Sequence, residues 1–171
     1  MKLALTVAAA AAVLSATLPT ISRADDSALL REMKDRAEIE HLMWRYVHAL
    51  DNLDPEGYAA VYTPDGRFGT GKNASVGTEA LKKIVVDVKK RHDDQAAKGE
   101  KPVQLRHILT NEDLEFTDKD HAVMNSYWLT VFEATDPKEG PKVAAAGRGR
   151  DELVRVNGHW LIKSRDVQAK D

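Results

Sequence analysis

Residues 142–167 read KVAAAGRGRDELVRVNGHWLIKSRDV, and this stretch has the pattern of a β-hairpin. Asn157 and Gly158 lie between its two halves, and this dipeptide suits a tight two-residue turn because both residues tolerate positive φ. The hairpin predicts that antiparallel strands form the second half of the chain.

Two more strands are predicted upstream of the hairpin. In residues 103–111, VQLRHILTN, the side chains alternate with a period of two, so Leu105, His107 and Leu109 share one face. Residues 121–134, HAVMNSYWLTVFEA, are apolar on both faces, which is typical of a central strand.

The first half of the chain has helical periodicity instead. Residues 27–51 predict an amphipathic helix, and residues 78–95 predict another with Thr78 as its cap. The expected inner faces consist of Leu30, Met33, Ile39, Leu42, Met43, Tyr46, Val47 and Leu50 in the first helix, and of Leu81, Ile84, Val85 and Val88 in the second.

A short helix is predicted between these two. It begins at Pro55 with Asp54 as its N-cap, and its inner face carries Tyr58, Val61 and Tyr62. The following TPDG, residues 63–66, is expected to form a turn that leads into a short strand at 67–68. Three helices followed by antiparallel strands indicate an α+β fold.

The N-terminus has the three regions of a secretory signal peptide. Lys2 precedes an apolar run at 3–18, and Ser22 and Ala24 form a small-residue cleavage site. The alternative is a membrane anchor, but the run is short and alanine-rich. The sequence therefore predicts a signal peptide at 1–24, a single domain at 25–171, export with the periplasm as the expected location, and no membrane span after cleavage.

The composition excludes several kinds of chemistry. The formal net charge is −2, without a basic stripe, which argues against a nucleic-acid partner. The chain has no cysteine, no ligand-spaced histidines and no glycine-rich phosphate loop, so we expect neither a metal nor a cofactor. Any catalysis must use ordinary side chains.

Two polar residues stand out at positions expected to face inward. Asp51 lies in the last turn of the first helix, where the helix dipole disfavours a carboxylate, and it continues the stripe of Trp44 and Val47. His107 lies on the apolar face of its strand. A lone histidine there is more often a structural core residue, but a carboxylate bonded to one ring nitrogen would make the other a general base.

Three segments carry a family resemblance: residues 39–68, 106–116 and 147–167. Over residues 30–167 the chain resembles the SnoaL-like branch of the nuclear-transport-factor-like superfamily, whose members are cone-shaped α+β barrels. In polar residues it looks closest to scytalone dehydratase and hexachlorocyclohexane dehydrochlorinase. The resemblance implies that Asp51 and His107 form a dyad for cofactor-free proton abstraction and elimination, and that Gly149, which replaces a frequent aromatic residue, widens the cavity.

Further residues are candidates for substrate binding. Tyr46 lies near the face of Asp51 and is expected to donate its hydroxyl to an oxyanion, although a core tyrosine is the equal alternative. The other candidates are aromatic residues that would line the cavity and two polar strand residues that would bind a polar substituent: Tyr62, Phe68, Trp128, Asn125 and Arg148.

These observations favour a lyase or isomerase that acts on a small, largely apolar cyclic or aromatic metabolite. The alternatives are a periplasmic binding protein that uses the same cavity without catalysis, and a subunit that packs on an enzyme partner. Because the strand at 121–134 is apolar on both faces, we expect a homodimer or a higher symmetric oligomer.

Overall fold

The computed structural model describes residues 23–134, 138 and 140–170. All but the last two residues of the predicted signal peptide lie outside this part of the chain. The helices are α1 (Arg23–Asp51), α2 (Pro55–Ala60) and α3 (Thr78–Ala97), and the strands are β1 (Tyr62–Phe68), β2 (Ser75–Val76), β3 (Leu105–Phe116), β4 (His121–Phe132), β5 (Lys142–Val156) and β6 (His159–Asp166).

The strands form a single sheet in the order β2-β1-β6-β5-β4-β3. Only the β1–β6 pair is parallel among the described strands. The predicted hairpin is confirmed: β5 and β6 pair antiparallel, and Asn157 and Gly158 have φ values of 52° and 86°, as a tight two-residue turn requires. The long strand β4 lies between two neighbours, as predicted, whereas β3 is an edge strand.

The helices pack on the sheet around one apolar core. Helix α1 contacts β3 and β6, and α3 contacts β1 and β2. The largest buried side chains of this core include Ile39, Leu42, Met43, Tyr58, Leu81, Met124, Leu153, Trp160 and Ile162. The predicted fold class is confirmed: three helices cover a curved, mostly antiparallel sheet.

The N-terminal half of α1 differs from the prediction. Leu30 and Met33, which were expected to face the core, are 57% and 58% exposed; Trp44, in the C-terminal half of the helix, is exposed as well. The buried part of α1 begins only at Asp35. Helical periodicity continues through the first three turns, but no element among the described residues covers the apolar side chains of these turns.

Two local predictions are also wrong. Thr78 does not cap α3, because it is the first helical residue and the N-cap is Gly77, whose φ of 83° favours glycine. The stretch 63–66 is not a turn before a strand. It lies inside β1, at an irregularity where the register with β6 shifts between Tyr62 and Arg67.

The cap of α2 is as predicted. The side chain of Asp54 accepts a hydrogen bond from the backbone N–H of Gly57 at 3.0 Å, with Pro55 at the first helical position. Asp54 therefore has a local role that its sequence neighbours explain.

Some apolar side chains remain exposed on the outer face of the sheet, including Ile108, Tyr127 and Val143. The expected oligomer stays a prediction. Within the described part of the chain, no helix is long and apolar enough to cross a membrane.

Candidate active site

The end of α1 brings Asp51 onto the free edge of β3. The carboxylate accepts hydrogen bonds from the backbone N–H of His107, at 3.1 Å to Oδ1 and 3.3 Å to Oδ2. The same Oδ1 lies 2.6 Å from Nδ1 of the His107 ring. One carboxylate thus binds both the backbone and the ring of one residue, which fixes the orientation of the imidazole.

This contact also decides which ring nitrogen can react. The side chains of Asp51 and His107 are 9% and 25% exposed, so the histidine is the more accessible partner. A carboxylate at Nδ1 favours the tautomer with the proton on Nδ1. Nε2 then carries the lone pair, and it has no hydrogen bond to any described residue. It is the nitrogen that is available to a ligand.

His107 lines a cavity of about 230 Å³ between α1 and the inner face of the sheet. Most of the wall is apolar, and a few polar side chains interrupt it, as in many small-molecule sites. The lining residues are Tyr46, Leu50, Phe68, His107, Leu109, Trp128, Thr130, Ala145, Arg165 and Val167.

Trp128 holds one side of this cavity in place. Its Nε1 donates to the backbone oxygens of Arg148 at 3.2 Å and Val167 at 3.0 Å. Its indole lies against Gly147, where a Cβ atom would come within 2.6 Å of Cζ2. Only glycine leaves room for the ring, so Gly147 and the two hydrogen bonds together position Trp128 on the cavity wall.

Sequence reasoning missed a charged pair beside the cavity. Arg165 and Asp151 are 1% and 0% exposed, and Nη1 of Arg165 donates to Oδ2 of Asp151. The guanidinium carbon lies 4.5 Å from the centre of the Tyr46 ring. Burial raises the pKa of Asp151 to about 6, although the Arg165 guanidinium acts to lower it.

A β-bulge explains why the sequence does not predict the inward position of Arg165. Along β6, Trp160 and Ile162 point inward, so strict alternation would place residue 164 inside and Arg165 outside. However, Ile162 pairs with Leu153 and Ser164 pairs with Glu152, which leaves Lys163 as an extra residue. The bulge reverses the alternation and turns Arg165 into the core. The period-two pattern of the sequence therefore gives no sign that Arg165 points inward.

Three of the predicted binding residues do not line the cavity. Tyr62 is 3% exposed in the core, its hydroxyl 3.3 Å from that of Tyr58, and burial raises its pKa well above the usual value. Asn125 and Arg148 are exposed and line a separate depression of about 560 Å³. Their strand positions point away from the inner face, because the buried neighbours of Asn125 on β4 are Met124 and Ser126, and Arg148 on β5 alternates with the buried Gly149.

The other predicted residues do lie together. Tyr46, Phe68, Trp128 and His107 share the cavity, and Asp51 lies behind His107. The roles assigned to them stay predictions. Among the described residues, no cluster of three His, Cys, Asp or Glu side chains could hold a metal ion.

The similarity to known proteins extends over nearly the whole domain. A model of the SnoaL-like domain matches residues 31–166. No curated protein matches the sequence significantly. A solved structure from Catenulispora acidiphila, in complex with S-DNPA, is 29% identical with a TM-score of 0.63, and the match covers 83% of this chain and 93% of that one.

Two more solved structures are similar. A protein of unknown function from Mycobacterium tuberculosis is 25% identical with a TM-score of 0.64, covering 88% of this chain and 78% of that chain. A protein from Novosphingobium aromaticivorans, provisionally named a scytalone dehydratase, is 21% identical with a TM-score of 0.63, covering 84% and 89%. At 21% identity, the likeness to the Novosphingobium protein shows the fold alone.

The match to the family model spans most of the chain. This family includes polyketide cyclases and dehydratase-like enzymes. The chain belongs to the SnoaL-like domain family.

Proposed function

We propose that this protein is a cofactor-independent lyase or isomerase that removes a proton from a small, largely apolar cyclic or aromatic compound. The observation that carries the proposal is the 2.6 Å contact between Asp51 Oδ1 and His107 Nδ1 at the wall of an apolar cavity. A histidine oriented by a carboxylate is a general base of the right strength near neutral pH.

In the proposed reaction, Nε2 of His107 takes a proton from a carbon atom of the substrate. The C–H electron pair either forms an enolate or expels a leaving group from the adjacent carbon. The leaving group is halide, or hydroxide that takes up the proton from the His107 imidazolium and departs as water. Asp51 stabilises the imidazolium that results and keeps the ring in the reactive tautomer. Tyr46, which lines the same cavity, donates a hydrogen bond from its hydroxyl to the oxyanion or leaving group.

A binding protein without catalysis is the second candidate, and one observation favours it. The backbone N–H of His107 lies on the free edge of the sheet, and Asp51 satisfies it. A second side chain of α1 also binds the backbone of this edge strand: Nη1 of Arg36 donates to the backbone oxygen of Leu114 at 3.1 Å. In this reading Asp51 closes an open edge and catalyses nothing.

Deuterium exchange separates the two candidates without knowledge of the natural substrate. The probe is 2-tetralone, a bicyclic ketone with acidic C–H bonds, incubated with the protein in D₂O and followed by proton NMR. We expect the wild-type protein to accelerate exchange at the carbon atoms next to the carbonyl, and we expect His107→Ala to abolish this acceleration.

His48→Ala is the matched control, because His48 is an exposed histidine near the end of the same helix. It should exchange the probe at the wild-type rate. If 2-tetralone binds to the wild-type protein but His107→Ala exchanges it equally fast, the enzyme hypothesis fails and the binding protein is the better description.

A further inference from the structure

The buried guanidinium of Arg165 is the feature of the cavity that the proposed proton transfer leaves unused. Arg165 lines the cavity that holds His107, and it is the one arginine or lysine among the lining residues. A buried guanidinium is costly unless its donors are paired, so its remaining hydrogen-bonding capacity is informative.

The protein satisfies this guanidinium only in part. Nη1 donates to Asp151, and the Tyr46 ring packs against the guanidinium carbon. Nε has no hydrogen-bond partner among the described residues, and neither does the hydroxyl of Ser126 on β4, two strands away in the sheet. Buried polar atoms of this kind are normally paired, so their presence points to a missing partner.

A glycine, Gly149, lies next to the guanidinium. Gly149 has no side chain there, and a Cβ atom would lie 3.8 Å from Nη2 of Arg165 and 3.1 Å from Oγ of Ser126. Gly149 therefore places no side chain between Oγ of Ser126 and Nη2 of Arg165.

We propose that Arg165 binds the carboxylate of the ligand, and that the natural substrate is a small cyclic or aromatic carboxylic acid. A guanidinium matches a carboxylate in shape and charge, and the pair is strongest where water is excluded. The apolar wall formed by Leu50, Phe68 and Leu109 receives the ring. This inference rests on the proposed use of the cavity for a small ring compound and adds the chemical class of that compound.

The test compares two probes of nearly equal shape, 2-naphthoate and the neutral 2-naphthamide. Affinities are measured by calorimetry in one buffer at pH 8, where the carboxylic acid probe is ionised. We expect the wild-type protein to bind the carboxylate about ten-fold more tightly than the amide, as a hydrogen bond to a charged group allows.

The informative variant changes both charged partners at once, Asp151→Asn with Arg165→Gln, because removing one partner alone strands a buried charge. We expect it to bind the two probes with similar affinity. Arg150→Gln is the matched control, since Arg150 is an exposed arginine on the adjacent strand β5. It should keep the ten-fold preference.

A measurement on the wild-type protein guards against a variant that does not fold. The Nε–H signal of Arg165 in a nitrogen-correlated NMR spectrum should shift on addition of 2-naphthoate and stay in place with 2-naphthamide. No preference in the wild-type protein, an unmoved Nε–H signal, or a preference that persists in the double variant overturns the proposal. None of these outcomes depends on proton exchange with 2-tetralone, so the two proposals fail separately.

Discussion

Two pairs of an aspartate with a basic side chain lie at or beside the cavity, and their surroundings differ. Asp51 and His107 meet where a helix ends beside an edge strand, and the histidine is 25% exposed. Asp151 and Arg165 meet between two neighbouring strands inside the sheet, and both are buried. A partly accessible pair can exchange a proton with a ligand, whereas a buried pair with an arginine keeps a charge in a fixed place.

The largest expected effect tests the accessible pair. Asp51→Asn keeps the shape of the side chain but removes the charge that stabilises the imidazolium and sets the tautomer. We expect the exchange rate of 2-tetralone to fall about 10²–10⁴-fold, measured by NMR, while the affinity for the probe changes little. A rate within two-fold of wild type, with normal folding, would show that this pair is structural.

The next effect tests the buried pair. Arg165→Gln leaves the Asp151 carboxylate buried without its counterion, so we expect the free energy of unfolding to fall by about 3–5 kcal/mol. The double variant with Asp151→Asn should recover part of this loss. Urea unfolding measures both, and equal losses in the single and the double variant would contradict the assignment of a coupled pair.

A third prediction concerns pH. Burial raises the pKa of Asp151 to about 6 from the ordinary 3.8, so the folded state holds this proton more tightly than the unfolded state. The raised pKa adds up to about 3 kcal/mol to the free energy of unfolding below about pH 4, and this contribution is lost as the pH rises through about 6. Unfolding free energies at pH 4.5 and 7.5 should therefore differ less in Asp151→Asn than in the wild-type protein.

The smallest expected effect belongs to a reference variant at Asp54. Asp54 lies three residues after Asp51, but its carboxylate only caps α2. Asp54→Ala should lower the free energy of unfolding by about 1 kcal/mol and leave the exchange of 2-tetralone unchanged. A large loss of exchange in this variant would mean that the turn between α1 and α2, and not the Asp51 carboxylate itself, controls the reaction.

The two pairs also differ in how well the sequence predicts them. Asp51 and His107 are visible because each interrupts a regular apolar pattern, one of period 3.6 and one of period two. Arg165 is invisible because an extra residue, Lys163, reverses the alternation of β6 before it. For Asn125 and Arg148 the sequence does not show which side of the strand faces the helices, and both side chains point outward.

The sequence by itself determined the class of the fold, the order of the three helices and of the long strands β3 to β6, the hairpin at Asn157-Gly158 and the cap at Asp54. These features depend on contacts between residues close in the chain, so their signals are local. The tertiary structure alone decided which residues share the cavity. That choice depends on the β-bulge in β6, on the space that Gly147 leaves for Trp128, and on a hydrogen bond between residues 51 and 107. Such contacts join distant parts of the chain and leave no periodic pattern in it.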